Sequence, residues 1–344
     1  MGRVVLVTGV CRDLGGRFAR RIAEEPDVER VIGVDVVPPR QDLGNVRFVR
    51  ADIRNPVISK VIAADDVDTV VHLSVIATPS GAGGRTSMKE INVIGTMQLL
   101  AACQQARSVR RLVVKSSAKV YGSSGQDPAM FSEGMAPRRL PRSGFAKDSV
   151  EVEGYVRAYS RRRPDVGVTM LRCANLIGPR IETTLTRYFE LPVVPTVLGF
   201  DPRLQFCHEE DALAALRHST LSDVDGTFNV AGDGVLVLSQ AIRRLGRPSI
   251  ALPAVAFGAL SSIFPAARRA DLSSEETSFL TYGRGVDTTA MRTVLGFEPA
   301  YTTAEAFDSF ASRLRPGLLN AERLTRLEHQ VDGWIARTVS DGGR

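Results

Sequence analysis

The 344-residue chain is poor in the residues that several kinds of site require. It has four cysteines, Cys11, Cys103, Cys173 and Cys207, and no two stand at metal-ligand spacing. Three of them lie in or beside apolar runs. They read as small buried hydrophobes in a reducing cytoplasm, not as a disulfide framework. His208 adjoins Glu209, Glu210 and Asp211, but neighbours at a helix start point in different directions. Acids are favoured there by the helix dipole, so no metal is expected. No apolar run is long enough to span a bilayer. Met1-Gly2-Arg3 leads directly into a strand, so no signal peptide is expected. Aromatics make up 6% of the chain, and none interleaves with the basic pairs Arg110-Arg111 and Arg138-Arg139 or with Arg161, Arg162 and Arg163. The net charge of +6 therefore reads as solvated faces with some phosphate contacts, not as a nucleic-acid groove.

What is present begins at the N-terminus. Val4 to Val7 is a continuous apolar run rich in β-branched residues, as in a strand buried on both faces. Thr8 and Gly9 break it, Gly15 and Gly16 follow, and Phe18, Ala19 and Ile22 recur at helical spacing. Strand, glycine turn and helix form the context of a dinucleotide-binding fingerprint. The turn brings backbone N–H groups and a helix N-terminus onto a pyrophosphate. Asp35 closes a second apolar run, Val31 to Val34. A carboxylate there accepts hydrogen bonds from ribose hydroxyls and repels a 2′-phosphate, which favours NAD over NADP.

Further strands are expected at Val46 to Val49, Val67 to His72, Leu112 to Val114 and Val168 to Cys173. Helical patterns separate them, at about Met88 to Gln105 and about 145–162 among others. This alternation predicts an α/β fold with a doubly wound parallel sheet (Rossmann) and a smaller C-terminal substrate lobe. The Gly9 turn, Asp35, Asp52, His72 and Ser117 all fall at carboxyl ends of strands, where sites in such sheets lie.

These marks, in this order, resemble the extended short-chain dehydrogenases/reductases, specifically the NAD-dependent epimerase/dehydratase family, of the UDP-glucose 4-epimerase-like, actinobacterial type. The resemblance rests on Thr8-Gly9, Asp35, Asp52-Ile53, His72-Leu73-Ser74, Asn92-Val93-Ile94-Gly95-Thr96, Ser116-Ser117 with Val120-Tyr121-Gly122, and Arg172 to Pro179. It continues through Gln205 to Ala212 and Gly226 to Gly232. It implies NAD as cofactor, held by Gly9, Arg12, Leu14, Gly15, Asp35, Asp52, Ile53, Leu73, Asn92 and Lys147. It further implies a nucleotide-activated sugar as the small-molecule substrate, and a homodimer formed through helices at about 88–105 and 145–162. The domains expected are 1–178 for the cofactor, with 204–232 returning to it, and 179–203 with 233–315 for the substrate. An amphipathic helix follows at 316–344.

Two positions depart from the family pattern. Arg12 stands where the fingerprint has its middle glycine. It either pairs with phosphates or fills the site. The family's catalytic serine matches Ser117 and its lysine matches Lys147, which places its tyrosine at Ser143. A serine hydroxyl is a far worse base than an activated tyrosine, and losing a positioned acid–base costs about 10²–10⁴-fold. Tyr121 and Lys119 are the candidates to substitute. Alternatively the protein binds NAD and a ligand without turnover.

In the second lobe, Arg180, Arg187 and Arg203 suit either a diphosphate clamp or a solvated basic surface. The apolar stretch 248–269 is expected to be a packed helix of that lobe. A lid over a lipid-linked substrate and a membrane-surface helix are the alternatives. Leu324, Leu327, Val331, Trp334 and Ile335 form one helical stripe near the C-terminus.

Overall fold

The structure is a computed structural model that describes residues 2–77, 83–257 and 273–314. The chain enters at β1 (Arg3–Thr8). Val5 and Val7 pack toward α1 (Asp13–Ile22), while Val4 and Leu6 join the core on the opposite face. A strand covered on both sides has no polar face, which is why its sequence is continuously apolar rather than alternating. β2 (Val28–Asp35) and β3 (Arg47–Arg50) follow on one side of β1. β4 (Thr69–His72), β5 (Arg111–Ser117), β6 (Gly167–Cys173) and a seventh strand, Gly226–Val230, extend the sheet on the other side.

All seven strands are parallel, and the order is seventh–β6–β5–β4–β1–β2–β3. The order reverses between β1 and β4, so a crevice opens between their carboxyl ends. α1 and the later helix Glu209–Leu221 cover one face through Phe18, Ile22, Leu213 and Leu216. α2 (Val57–Ala64), α4 (Thr96–Gln105) and α5 (Gly144–Arg162) cover the other through Ile58, Ile62, Leu99, Cys103, Val152 and Val156. This is the doubly wound α/β fold expected from the alternation of strands and helices.

The helix before β5 starts earlier than its apolar pattern suggests. α3 (Arg85–Lys89) runs through a π-helical turn, Glu90–Gly95, into α4. Within that turn Thr96 Oγ1 donates to the Asn92 carbonyl at 2.5 Å. The Asn92 side chain is fully buried and clamps Ile76, accepting from its N–H at 2.7 Å and donating to its C=O at 2.9 Å. A π turn is a common way to aim one side chain out of helical register.

A second apolar core, with Tyr188, Phe189, Phe206, Phe279, Phe307 and Phe310, lies outside the sheet's two faces. Around it Val194–Val197 pairs in parallel with Ser249–Leu252, and Arg203–Leu204 pairs antiparallel with Leu236–Val237. Within the segment 204–232, Gly226–Val230 is an edge strand of the central sheet, and Phe206–His208 pairs with Asn175–Ile177. The stretch 248–269 begins with a strand, Ser249–Leu252, and turns helical at 254–257, so the expected helix starts later than the apolar run. Ile250 and Leu252 are held in the pairing with Pro195 and Val197, and Phe257 is buried in the second core. Residues 258–269 and the helix expected at 316–344 lie outside the described residues. Among the described residues no helix is long and apolar enough to cross a membrane.

Candidate functional site

The crevice between β1 and β4 is built around Gly9 and Gly15. Gly9 has φ +84°, and a Cβ on it would sit 3.0 Å from the Leu73 carbonyl carbon. A Cβ on Gly15 would lie 2.1 Å from the Gly9 carbonyl oxygen, so only glycine lets α1 approach the turn this closely. Arg12 is the N-cap of α1, with φ −91° and ψ 154°. That is extended backbone any residue adopts, so the turn does not require a glycine there. Leu14 and Leu73 are buried beside it. Asp35 leans onto the turn. Its Oδ2 accepts from Cys11 N–H at 3.0 Å and its Oδ1 from Val36 N–H at 2.8 Å. Burial and this carboxylate push the Cys11 thiol up to about 12, so it stays a neutral thiol.

Beneath the crevice, Leu73 and Ser74 N–H groups donate to Thr8 Oγ1 at 3.1 and 3.3 Å. The Thr8 hydroxyl therefore donates to His72 Nδ1, 2.8 Å away, and His72 Nε2–H donates to Thr96 Oγ1 at 2.9 Å. Burial, with Lys115 adding to it, pushes His72 down to about 4, so this chain of bonds carries a neutral imidazole. At the outer edge Asp52 is gripped by Arg54 at 2.7 Å, which holds its carboxyl below the usual range. Ile53 packs where a Cβ on Gly95 would meet its Cδ1 at 2.8 Å. Asn92 holds the chain after β4 from behind, through Ile76, with both ends of its amide occupied.

Next to the crevice is a cavity of about 70 Å³ whose wall includes Lys115, Ser117, Lys119, Phe145, Cys173 and Glu276. Ser117 closes β5, and its Oγ accepts from Lys119 N–H at 3.2 Å. Lys119 reaches across the cavity to the helix Ser274–Tyr282. It pairs with Glu275 at 3.2 Å and bonds Glu276, and all three side chains are mostly buried. Burial alone would pull the Lys119 amine down, but the two carboxylates outweigh it and hold the amine above its ordinary value. Lys119 Nζ also stands 6.0 Å from the centre of the Phe145 ring.

α5 does not bring Ser143 or Lys147 to this wall. Ser143 is the N-cap of α5, exposed, on the rim of a neighbouring groove with Arg138, Arg139 and Arg142. The Lys147 side chain is 44% exposed and its nearest carboxylate is Glu151, 3.9 Å away on its own helix. The reason is helical phase. The buried stripe of α5 runs Phe145, Ser149, Val152, Val156 and Tyr159, at spacings of three and four, so the residues facing inward at its start are Phe145 and, one turn on, Ser149. Phe145 is buried on the cavity wall, and the buried Ser149 hydroxyl donates to the Phe145 carbonyl at 2.9 Å. The inward pair with four-residue spacing is thus Phe145 and Ser149, not Ser143 and Lys147. The spacing in sequence is the same for both pairs, and the available signal is the apolar stripe Phe145, Val152, Val156 and Tyr159, which is in phase with the first pair.

The other sequence candidates also resolve. Tyr121 is buried, donates to Asn229 Oδ1 at 2.8 Å, accepts from Arg172 at 2.7 Å and stacks on Phe131 at 4.6 Å. These contacts fix it in the core, away from the Ser117 wall. Arg187 pairs with Glu182 at 3.2 Å, and neither it nor Arg180 or Arg203 lines the Ser117 cavity. His208 stacks on Tyr301 at 3.8 Å and accepts from Glu210 N–H at 3.2 Å. The neighbouring Glu209 is occupied by Arg17 and by the N–H groups of Arg180 and Ile181. Among the described residues no cluster of three His, Cys, Asp or Glu side chains could hold a metal.

The groove beside the cavity measures about 1290 Å³ and shares Lys119 with it. Arg138, Arg139, Arg142 and Arg284 line it, while the acid on its wall, Glu275, is already paired with Lys119. Desolvation pushes Arg284 down to about 10, and its guanidinium lies 5.1 Å from the Phe279 ring centre.

Comparison with known proteins agrees with this fold. An uncharacterised protein of Mycobacterium tuberculosis (strain H37Rv) is 49% identical over 343 residues, covering 98% of this chain and 89% of the relative. Two solved structures share the fold. One is a UDP-glucose 4-epimerase from Thermotoga maritima with UDP-glucose (TM-score 0.69, 16% identity, 90% of this chain and 98% of that one). The other is a UDP-glucuronic acid 4-epimerase from Bacillus cereus with UDP-glucuronic acid and NAD (TM-score 0.69, 17% identity, again 90% and 98%). The sequence model of the NAD dependent epimerase/dehydratase family matches residues 5–231, from β1 to the end of the seventh strand, and the chain belongs to that family.

Proposed function

We propose that this chain holds NAD in the crevice and acts on a small, negatively charged substrate of the nucleotide-activated sugar class in the adjoining groove. In this reading Lys119 and Glu276, not residues of α5, handle the proton. One observation carries it: Ser117, Lys119, Phe145 and Glu276 share one cavity wall, and Phe145 has no exchangeable proton. The fit of the cofactor rests on Asp35, whose carboxylate leans onto the Gly9 turn with lone pairs to spare for ribose hydroxyls. When bound, NAD supplies the hydride acceptor. With it in place, Ser117 would orient a substrate hydroxyl, Glu276 would accept that hydroxyl's proton, and the Lys119 ammonium would steady the charge on the oxygen. Arg138, Arg139, Arg142 and Arg284 give the groove the charge that a diphosphate requires.

A second reading has the apolar Phe145 marking a site that binds NAD and a ligand without turnover. One experiment separates the two. NAD and a panel of UDP- and dTDP-sugars are incubated with wild type, Lys119→Met and Glu276→Gln, and nicotinamide reduction and sugar products are followed. Product from wild type that disappears in both variants supports the enzyme. Ligand binding with no product from any of them supports the binding protein. A homodimer through α4 and α5 is part of the same proposal, supported by Ile94, Met97 and Tyr155 standing exposed on that side. Sedimentation of Met97→Glu against wild type tests it.

A further inference from the structure

The wall of the Ser117 cavity also carries a thiol. Cys173 closes β6 in parallel register with Ser117 of β5, and both line the cavity together with Lys115. Lys115 and Ser117 stand two residues apart on their strand, so its alternation puts them on one face. Behind Cys173 lies a second thiol. Asn175–Ile177 pairs in parallel with Phe206–His208, and Cys207 stands at the centre of that pairing, opposite Leu176. Both segments are tied to the end of the seventh strand. Ala174 N–H donates to the Val230 carbonyl at 2.9 Å, and Gly232 N–H donates to the Phe206 carbonyl at 2.8 Å. Cys173 and Cys207 share one buried core and are hydrogen-bonded thiol to thiol. The Cys207 S–H also has the His208 carbonyl oxygen within reach, at 3.6 Å.

A role as small hydrophobes accounts for two buried cysteines, but not for their surroundings. Cys173 accepts the hydrogen bond from Cys207 and shares its wall with the Lys115 ammonium. These two, in that order and against burial, draw its thiol below the ordinary value. The same hydrogen bond and burial push the Cys207 thiol well up. Burial pulls the Lys115 amine down, and the two thiols oppose that. The other two cysteines differ. Burial and Asp35 push Cys11 up to about 12, and burial pushes Cys103 up to about 12. Cys11 is nevertheless the most exposed of the four. Cys173 is reached from the cavity, whose volume of about 70 Å³ holds several water-sized molecules and so admits hydrogen peroxide.

We propose that Cys173 is a peroxide-reactive thiol and Cys207 its resolving partner, so that the pair closes a reversible disulfide in the cavity wall. The Cys173 thiolate attacks one oxygen of hydrogen peroxide and the O–O bond breaks. A sulfenic acid forms on Cys173, and the departing hydroxide leaves as water with the proton that Cys173 had given up. The Cys207 sulfur then attacks the sulfenic sulfur. An S–S bond replaces the S–O bond, and a second water leaves with the Cys207 proton. The two sulfurs are oxidised, and one peroxide is reduced to two waters. The bridge takes the Cys173 sulfur away from Lys115. It also ties β6 to the segment whose Phe206 lies in the second core, so the two parts of the molecule become cross-linked beside the cavity. None of this depends on NAD binding in the crevice.

The test exposes the reduced full chain to hydrogen peroxide, caps the remaining thiols with iodoacetamide and maps the peptides by mass spectrometry without reductant. The expected product is a peptide cross-linked through Cys173 and Cys207, with Cys11 and Cys103 still capped, and dithiothreitol should restore both thiols. In Cys207→Ser, dimedone should trap a sulfenic acid on Cys173. Lys115→Met should close the bridge about threefold more slowly, because an about tenfold loss of thiolate is partly offset by the greater nucleophilicity of a more basic sulfur. Thermal melting of each variant reports folding. Oxidation of Cys11 ahead of the pair overturns the proposal, because exposure alone would then set reactivity. A wild-type Cys173 that stays reduced, or that runs on to sulfinic acid without a cross-link, overturns it as well.

Discussion

The two halves of the site follow different rules. On the β1 side the backbone itself is specified. Gly15 has no room for a Cβ, Gly9 sits against Leu73, and Asp35 is held by two N–H groups. On the α5 side the specification is carried by side chains, and those side chains are not the expected ones. Phe145 and Ser149 face inward, Lys147 stays partly exposed beside Glu151, and Lys119 is tied to the acidic helix Ser274–Tyr282. A cofactor cradle made of backbone tolerates little change. A reaction site made of side chains can be rewired while the same fold stands around it.

The largest effect that separates the halves should come from Glu276. On an active substrate, Glu276→Gln is expected to lower turnover by about 10²–10⁴-fold with NAD affinity unchanged. Stopped-flow turnover together with an NAD titration checks both parts, and a loss of NAD affinity would place Glu276 in the wrong half. Next, Gly15→Ala drives a methyl into the Gly9 carbonyl and should destabilise the fold by about 3 kcal/mol, read by chemical denaturation.

The pH dependence of stability belongs to the crevice too. His72 titrates at about 4 when folded and at 6.5 when free. Below pH 6.5 the unfolded chain takes up the proton first, so stability is complete above 6.5 and is lost as pH falls toward 4. The loss should approach about 3 kcal/mol, and His72→Gln should flatten it in a denaturation series. The smallest effects should come from Ser143→Ala and Lys147→Ala. Each should leave stability within about 0.5 kcal/mol and NAD affinity within about twofold, because Ser143 is exposed and the partly exposed Lys147 meets only a weak ion pair on its own helix.

The legibility of the sequence divides along the same line. The apolar run Val4 to Val7, the glycines after it and Asp35 each have a physical reason to be that residue at that place, so strand, turn and carboxylate could be read directly. The doubly wound sheet followed from the alternation of strands and helices. Lys147 was misleading because a lysine four residues after a hydroxyl is a pattern without a phase. The phase comes from the apolar stripe further along the helix, Val152, Val156 and Tyr159, which turns Phe145 and Ser149 inward. The partnership of Lys119 with Glu275 and Glu276 joins residues more than 150 positions apart, and no local pattern encodes it. Asn92 stands out in the sequence by resemblance alone, and its task here, bracing Ile76 through a π turn, depends on a helix irregularity that apolar periodicity does not reveal. The 249–252 strand was hidden for a similar reason, since an apolar run that short is told from a helix only by what it pairs with.

The central claim is that the cofactor half of the site is complete without α5. Its most direct test is a calorimetric titration of NAD into wild type, Asp35→Ala and Lys147→Ala. The account predicts that wild type and Lys147→Ala bind alike and that Asp35→Ala loses binding. A Lys147→Ala variant that loses as much affinity as Asp35→Ala would contradict it.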